Sequence, residues 1–95
     1  MLNQFVLVGR LTEIKSSFED FTIVNISVPR SFKNKDGEYE NDLIDIKLTG
    51  NIAKNTLEFC KTGDLIGAKG RIESDNFMTI LVAEKITFLS TKSES

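Results

Sequence analysis

Hydrophobic and polar positions alternate with a period of two in two runs of the chain, Phe21–Val28 and Leu43–Thr49, which is the signature of half-buried strands. Phe5–Leu11 (FVLVGRL) is rich in β-branched and large apolar residues and carries a Gly where a bend or close approach is expected. Glu13–Asp20 is polar and predicts a loop. Phe21–Val28 (FTIVNISV) places Thr22, Val24, Ile26 and Val28 on one face and Phe21, Ile23, Asn25 and Ser27 on the other. Pro29 then ends regular pairing or marks an edge. Leu43–Thr49 alternates again, with Ile44, Ile46 and Leu48 inward and Leu43, Asp45, Lys47 and Thr49 outward. Between these two runs, Asp36-Gly37 is a strong hairpin signal, because Gly supplies the positive φ of a tight turn.

The period then changes. Ala53, Leu57 and Cys60 recur at helical spacing with Ile52 and Phe59 beside them, which predicts a helix with Asn51 as N-cap and Gly63 as its stop. Leu65–Ile72 (LIGAKGRI) is a strand with two glycines, as a tightly curled sheet requires. Asp75-Asn76 predicts a two-residue turn into a last strand that opens at Phe77 and continues to Leu89. Three strands, a helix and two strands is the element order of a five-stranded OB-fold barrel, an all-β class with one α-helix between strands 3 and 4. The domain spans residues 1–90, and 91–95 is expected to be a frayed end.

Composition narrows the chemistry. Ninety-five residues make one small domain. No apolar run reaches the ~20 residues of a membrane span, so no membrane partner is expected, and the N-terminus lacks the pattern of a signal peptide. A single Cys, Cys60, cannot form an intramolecular disulfide; it reads as a small buried hydrophobe in a reducing cytoplasm. There is no His, which removes the commonest general base and metal ligand, and one Cys cannot build a zinc site. Phosphate-loop and dinucleotide spacings are absent. Glu38, Glu40 and Asp42 read as a solvated hairpin arm. No enzymatic activity, cofactor or metal is expected.

The net charge of −2 leaves a polyanion ligand open only where cations and acids segregate. Such a place is the arm VPRSFKNKDGEYEND, residues 28–42, where Phe32 lies among Arg30, Lys33 and Lys35 before the turn and acids follow it. A large ring at such a position either packs across the hairpin onto Tyr39 or is offered to a ligand. In an OB-fold, aromatic rings stack bases at about 1–3 kcal/mol each while cations track the phosphates. Lys47, Arg10 and Arg71 could join such a groove or merely solvate the surface, and Phe77 could line it or fill the barrel. Phe5, Phe18, Phe21, Phe59 and Phe88 read as core or edge residues.

The segments MLNQFVLVGRLTEI, VPRSFKNKDGEYENDLIDIKLTGNIAKN and GNIAKNTLEFCKTGDLIGAKGRI, in this order, resemble the bacterial single-stranded DNA-binding protein family over nearly all of residues 1–90. The resemblance implies sequence-independent binding of single-stranded DNA in replication, recombination or repair, in the cytoplasm with the nucleoid. It implies homodimers or homotetramers in which first strands pair between subunits, here Asn3, Gln4, Phe5, Val6, Leu7, Val8 and Gly9. Phe32 matches the aromatic before the family's hairpin turn. Arg30, Lys33 and Lys35 fall where the family is usually basic, and together with the outward or groove candidates read from the residues the expected DNA-contacting set is Arg30, Phe32, Lys33, Lys35, Leu43, Lys47, Thr49, Arg71 and Phe77.

Three departures stand out. Leu43 and Thr49 occupy positions where the family commonly has aromatics, the hairpin between the last two strands is short, and no acidic tail with a terminal Phe precedes Ser95. The usual tail-mediated protein partners are therefore not expected. A different class, an OB-fold protein-interaction module with weak or no DNA binding, suits the acidic balance, and an oligosaccharide-binding or purely structural barrel draws on the fold alone.

Overall fold

A computed structural model of the chain describes residues 3–90, the side chain of Asp75 excepted. The expected frayed end, 91–95, lies outside the described residues. Five strands, β1 (Phe5–Ser17), β2 (Phe21–Lys33), β3 (Tyr39–Thr49), β4 (Leu65–Asp75) and β5 (Met78–Ser90), close into a barrel in the order β1-β2-β3-β5-β4, with helix α1 (Gly50–Phe59) between β3 and β4. This is the expected OB-fold arrangement. All neighbours are antiparallel except β3 and β5, which close the barrel through Ile46↔Leu81 and Lys47↔Val82.

Inward-facing side chains fill the barrel: Leu11, Val24, Ile26, Ile46, Leu48 and Ile66 are fully buried, with Phe5, Ala53, Ala68 and Ala83 around them. The expected inner faces of β2 and β3 hold, with one exception. Asn25, placed outward by the alternation, is itself buried and hydrogen-bonded between strands. Closure needs close backbone approach at Gly70, where a Cβ would run into the Val82 carbonyl and the backbone of Ala83 and Glu84.

Several local expectations change. Of the loop expected over Glu13–Asp20 only residues 18–20 are one: β1 continues to Ser17, paired to β2 down to Ser17↔Thr22, and absorbs its curvature in bulges after Leu11 and Ile14. Polar residues are tolerated there because this stretch is largely exposed. Regular pairing of β2 with β3 does end at Pro29↔Asn41, as expected, but the strand itself goes on and pairs again at Lys33↔Tyr39 after an irregularity.

Helix α1 starts at Gly50, with Thr49 rather than Asn51 in the N-cap position, and its first residue has φ +56°, a conformation suited to Gly. It ends at Phe59, four residues before Gly63, whose φ of +98° serves the following turn. Its buried stripe is Ala53, Thr56 and Cys60; Leu57 and Phe59 are exposed, because the short helix presents only a narrow face to the barrel.

The last hairpin turns at Asn76-Phe77, one residue later than expected, with Asp75↔Met78 as the closing pair. Both turn residues have positive φ, +49° and +70°, the two-residue geometry that matches strand twist.

Candidate nucleic-acid interface

Strands β2 and β3 pair in register from Phe21↔Thr49 through Ile23↔Lys47, Asn25↔Asp45 and Ser27↔Leu43 to Pro29↔Asn41. Because side chains opposite one another share a face, this ladder puts Phe21, Thr49, Ile23, Lys47, Asp45 and Leu43 on the outside of the barrel. From Thr49 to Leu43 the strip runs about 20 Å. Where β5 joins β3, the strip deepens into a groove of about 420 Å³ lined by Phe21, Ile23, Asp45, Lys47 and residues Met78, Thr79, Ile80 and Leu81.

The Lys47 ammonium lies 4.8 Å from the centroid of the Phe21 ring, and Phe18 packs against Phe21 with centroids 4.9 Å apart. Lys47 is thus placed beside an aromatic platform at one end of the strip.

At the other end stands the β2–β3 hairpin. Asn34 builds its turn: Oδ1 accepts from the Asp36 and Glu38 amides at 2.9 and 3.0 Å, and Gly37 adopts φ +80°. Phe32 is 66% exposed. The residue opposite Tyr39 is Lys33, whose ammonium lies 5.7 Å from the Tyr39 ring, so Phe32 does not occupy that place. Lys35 is exposed near the tip.

Arg30 is engaged elsewhere. Its Nη2 donates to Asp42 Oδ1 at 2.9 Å, its Nη1 to Glu40 Oε2 at 2.7 Å, and its Nε also reaches the Asp42 carboxylate. The hydrogen bond to Asp42, followed by the charges of Asp42 and Glu40, raises the Arg30 pKa; in return Arg30 holds the Asp42 carboxyl below its usual value. The acidic return arm therefore clamps this guanidinium.

Arg71 is held similarly, donating from Nε to Glu73 at 2.8 Å and from Nη1 to Glu84 at 3.4 Å, and it does not line the groove. Arg10 donates to the Gly63 carbonyl at 3.0 Å.

Phe77 is fully exposed at the tip of the β4–β5 turn, and its neighbour Met78 lines the groove. A Phe in the left-handed region costs about 1–2 kcal/mol relative to Gly. The site residues named from sequence thus divide. Lys47 lines the groove; Thr49 and Leu43 continue its face; Phe32, Lys33 and Lys35 are exposed on the β2–β3 hairpin; Phe77 stands at the β4–β5 turn; Arg30 and Arg71 are in ion pairs.

Sequence reasoning missed Phe21, Ile23 and the β5 segment 78–81. Phe21 and Ile23 were legible as an apolar pair on the outward face of an alternating strand, whereas the β5 contribution depends on barrel closure.

The first strand has a different environment. Residues 5–10 pair with β4, whereas β2 joins only from Arg10 onward, so Phe5–Gly9 has one paired edge. Val6 and Val8 face outward and border an apolar trough of about 280 Å³ with Gly67, Ala68, Lys69, Lys85, Thr87 and Leu89. Gln4 is exposed, Leu7 packs against the core, Phe5 is buried in it and Gly9 lies against Ile26 and Ser27. Asn3 extends the sheet by its side chain, donating from Nδ2 to the Ile72 carbonyl and accepting from the Ile72 amide, both at 2.8 Å.

Among the described residues no helix is long and apolar enough to cross a membrane, and no group of metal-ligating side chains converges.

Comparison with known proteins bears on this geometry. The model of the single-strand binding protein family matches residues 2–87. Single-stranded DNA-binding protein B of Bacillus subtilis (strain 168) is 34% identical, the match covering 97% of this chain and 94% of that protein. Single-stranded DNA-binding protein 1 of Clostridium acetobutylicum is 31% identical over 99% of both. A 35% identical relative from Oceanobacillus iheyensis is longer, and the match spans 66% of its length. Among solved structures, the mitochondrial single-stranded DNA-binding protein Rim1 of S. cerevisiae superposes with a TM-score of 0.74 at 17% identity, covering 96% of this chain and 99% of that one. The small single-stranded DNA-binding protein of Streptomyces coelicolor gives 0.69 at 14% identity, covering 94% and 95%. The matched span takes in every strand but the last residues of β5, and the barrel is the one these structures share. The chain belongs to the single-strand binding protein family.

Proposed function

We propose that this protein binds single-stranded DNA without an enzymatic step, through the outer face of β2 and β3, and protects the strand during replication, recombination or repair in the cytoplasm. The observation that carries this reading is the groove between β2–β3 and β5, where Phe21 and Lys47 sit side by side and lead along one face to Leu43, with the β2–β3 hairpin beyond it. Aromatic platforms with adjacent cations suit stacked bases and their phosphates, without reading sequence. Membership of a family whose relatives are named for single-stranded DNA binding points the same way.

Lys33, Lys35 and Lys47 meet phosphates, Phe32 and Phe77 stack or wedge against bases, and Leu43 and Thr49 contact sugars or bases. Arg30 and Arg71 contribute only when phosphate displaces their carboxylates. The strained backbone at Phe77 is consistent with an aromatic held out for contact.

Self-association fits the same reading. The unpaired edge of Phe5–Gly9 and the outward Val6 and Val8 offer a second copy both backbone hydrogen bonds and apolar area. A homodimer, or a homotetramer built from two, would align several grooves on one strand.

The test is anisotropy of a labelled oligo-dT titrated at several salt concentrations; the label is needed because the chain has no Trp. Binding that weakens steeply as salt rises, with a log–log slope corresponding to about three neutralised phosphates per chain, is expected. Absence of binding at low salt overturns the reading.

A further inference from the structure

The groove holds one group that a polyanion would be expected to avoid. Asp45 lines it, about half exposed, between Ile23, Lys47 and the β5 segment. Its carboxylate is fixed by a polar chain crossing three strands. The Thr12 hydroxyl lies 2.6 Å from Asn25 Oδ1, which orients the amide so that Nδ2 donates to Asp45 Oδ1 at 2.8 Å. Lys15 Nζ donates to Asp45 Oδ2 at 3.0 Å. Asn25, buried and otherwise costly, is the hinge of this chain. The Asn25 hydrogen bond, with the Lys15 ion pair behind it, keeps the Asp45 carboxyl below its ordinary value, so the group is ionised at neutral pH.

An ionised carboxylate only accepts hydrogen bonds, and it offers about four lone-pair sites. Asn25 and Lys15 use two of them, one on each oxygen. Phosphates and sugars at this point of the strand bring little that such a group can use, whereas bases do. Cytosine, adenine and guanine each carry an exocyclic amino group. Thymine and uracil present carbonyls there, with their single N–H set between two oxygens that oppose the carboxylate. Carboxylates reading the amino group of cytosine are an established pairing on duplex DNA.

We propose that Asp45 is a specificity-determining residue: it gives a groove otherwise indifferent to sequence a preference, at one base position per chain, for bases bearing an exocyclic amino group. This rests on the single-strand reading of the groove. The preformed chain Thr12–Asn25–Asp45–Lys15 supplies the rigidity that such a reading needs, because the carboxylate does not have to be ordered on binding. Lys15 offsets the charge, so that Asp45 selects without repelling the strand outright.

The test compares labelled oligo-dC and oligo-dU of equal length at pH 8, which differ at position 4 and in the N3 proton, on the wild type, Asp45→Asn and Lys15→Gln. Thermal unfolding of each variant is measured alongside. The wild type is expected to bind oligo-dC about tenfold more tightly than oligo-dU. In Asp45→Asn, whose amide can donate to a carbonyl, the ratio falls towards one, chiefly through tighter oligo-dU binding. Lys15→Gln weakens both ligands and keeps the preference, which holds the inference testable should Asp45→Asn not fold. A dC-to-dU ratio that Asp45→Asn leaves unchanged, or that Lys15→Gln abolishes, overturns this inference while the single-strand reading stands. Failure of the wild type to bind either oligonucleotide overturns the single-strand reading itself.

Discussion

At the scale of single residues, the decisive contrast is between Phe32 and Arg30, two positions apart on the same arm. Phe32 is mostly exposed, so its ring adds little to the fold. Phe32→Ala is expected to weaken binding of oligo-dT by about 1–3 kcal/mol, with the melting temperature within a degree or two of wild type. A large fall in melting temperature would instead make Phe32 a structural residue. Arg30 is in the opposite situation: its guanidinium is clamped by Asp42 and Glu40, and phosphate must compete with them. Asp42→Asn removes the main competitor and one negative charge, and is expected to tighten oligo-dT binding about two- to fivefold at low salt. Unchanged affinity would show that Arg30 stays outside the groove. The acids of the return arm were legible in the sequence, but which cation they hold depends on the register across the hairpin.

At the scale of elements, the strands explain what the pattern could and could not reveal. Alternation identified the inner faces of β2 and β3, because a one-residue slip would turn Val24, Ile26, Ile46 and Leu48 out into water. It failed for Glu13–Ser17 because β1 bulges twice there, and bulges erase the period of two. It failed at Asn25, whose burial rests on partners from β1 and β3 that no local window contains. Leu57 misled for a related reason: a ten-residue helix lying on a barrel needs only Ala53, Thr56 and Cys60 as its buried stripe. Phe77 fell in the turn because Asn76 takes the first left-handed position. The candidate interface on β1 belongs to this scale too. Val6→Glu places a charge on the exposed side of the half-paired edge, where the monomer can solvate it. Sedimentation or light scattering is expected to show loss of self-association with the circular dichroism of the barrel retained. An assembly of unchanged size would place the contact elsewhere.

At the scale of the whole molecule, the proposed reading has an acidic chain accept a strand by holding Glu40, Asp42, Glu73 and Glu84 on Arg30 and Arg71 outside the groove, while the Lys15-paired Asp45 lies within it. Arg30 and Arg71 are engaged in that arrangement, which on the same reading leaves Lys33, Lys35 and Lys47 to meet the phosphates. Stability depends on the same closed core. Burial, with the nearby Asp64 charge second, pushes the Cys60 thiol up to about 11. A thiol whose folded value lies above its unfolded one disfavours ionisation of the native state. Its contribution is intact below the unfolded value of about 8.5 and is lost as pH rises towards the folded one. Urea unfolding at pH 8, 9.5 and 11 is expected to show stability falling over that window, and less steeply in Cys60→Ala. Equal slopes in the two proteins would remove Cys60 as the cause.

On the proposed reading, single-stranded DNA lies across the outer face of β2 and β3 and the start of β5. Amide chemical-shift mapping of the labelled protein with an oligo-dT ligand tests it most directly. The largest changes are expected on residues 21–23, 30–35, 43–49 and 77–81, with helix α1 and the β1–β4 trough little affected. Changes concentrated on α1 or on residues 5–9 and 67–69, with 21–23 and 43–49 silent, would contradict it.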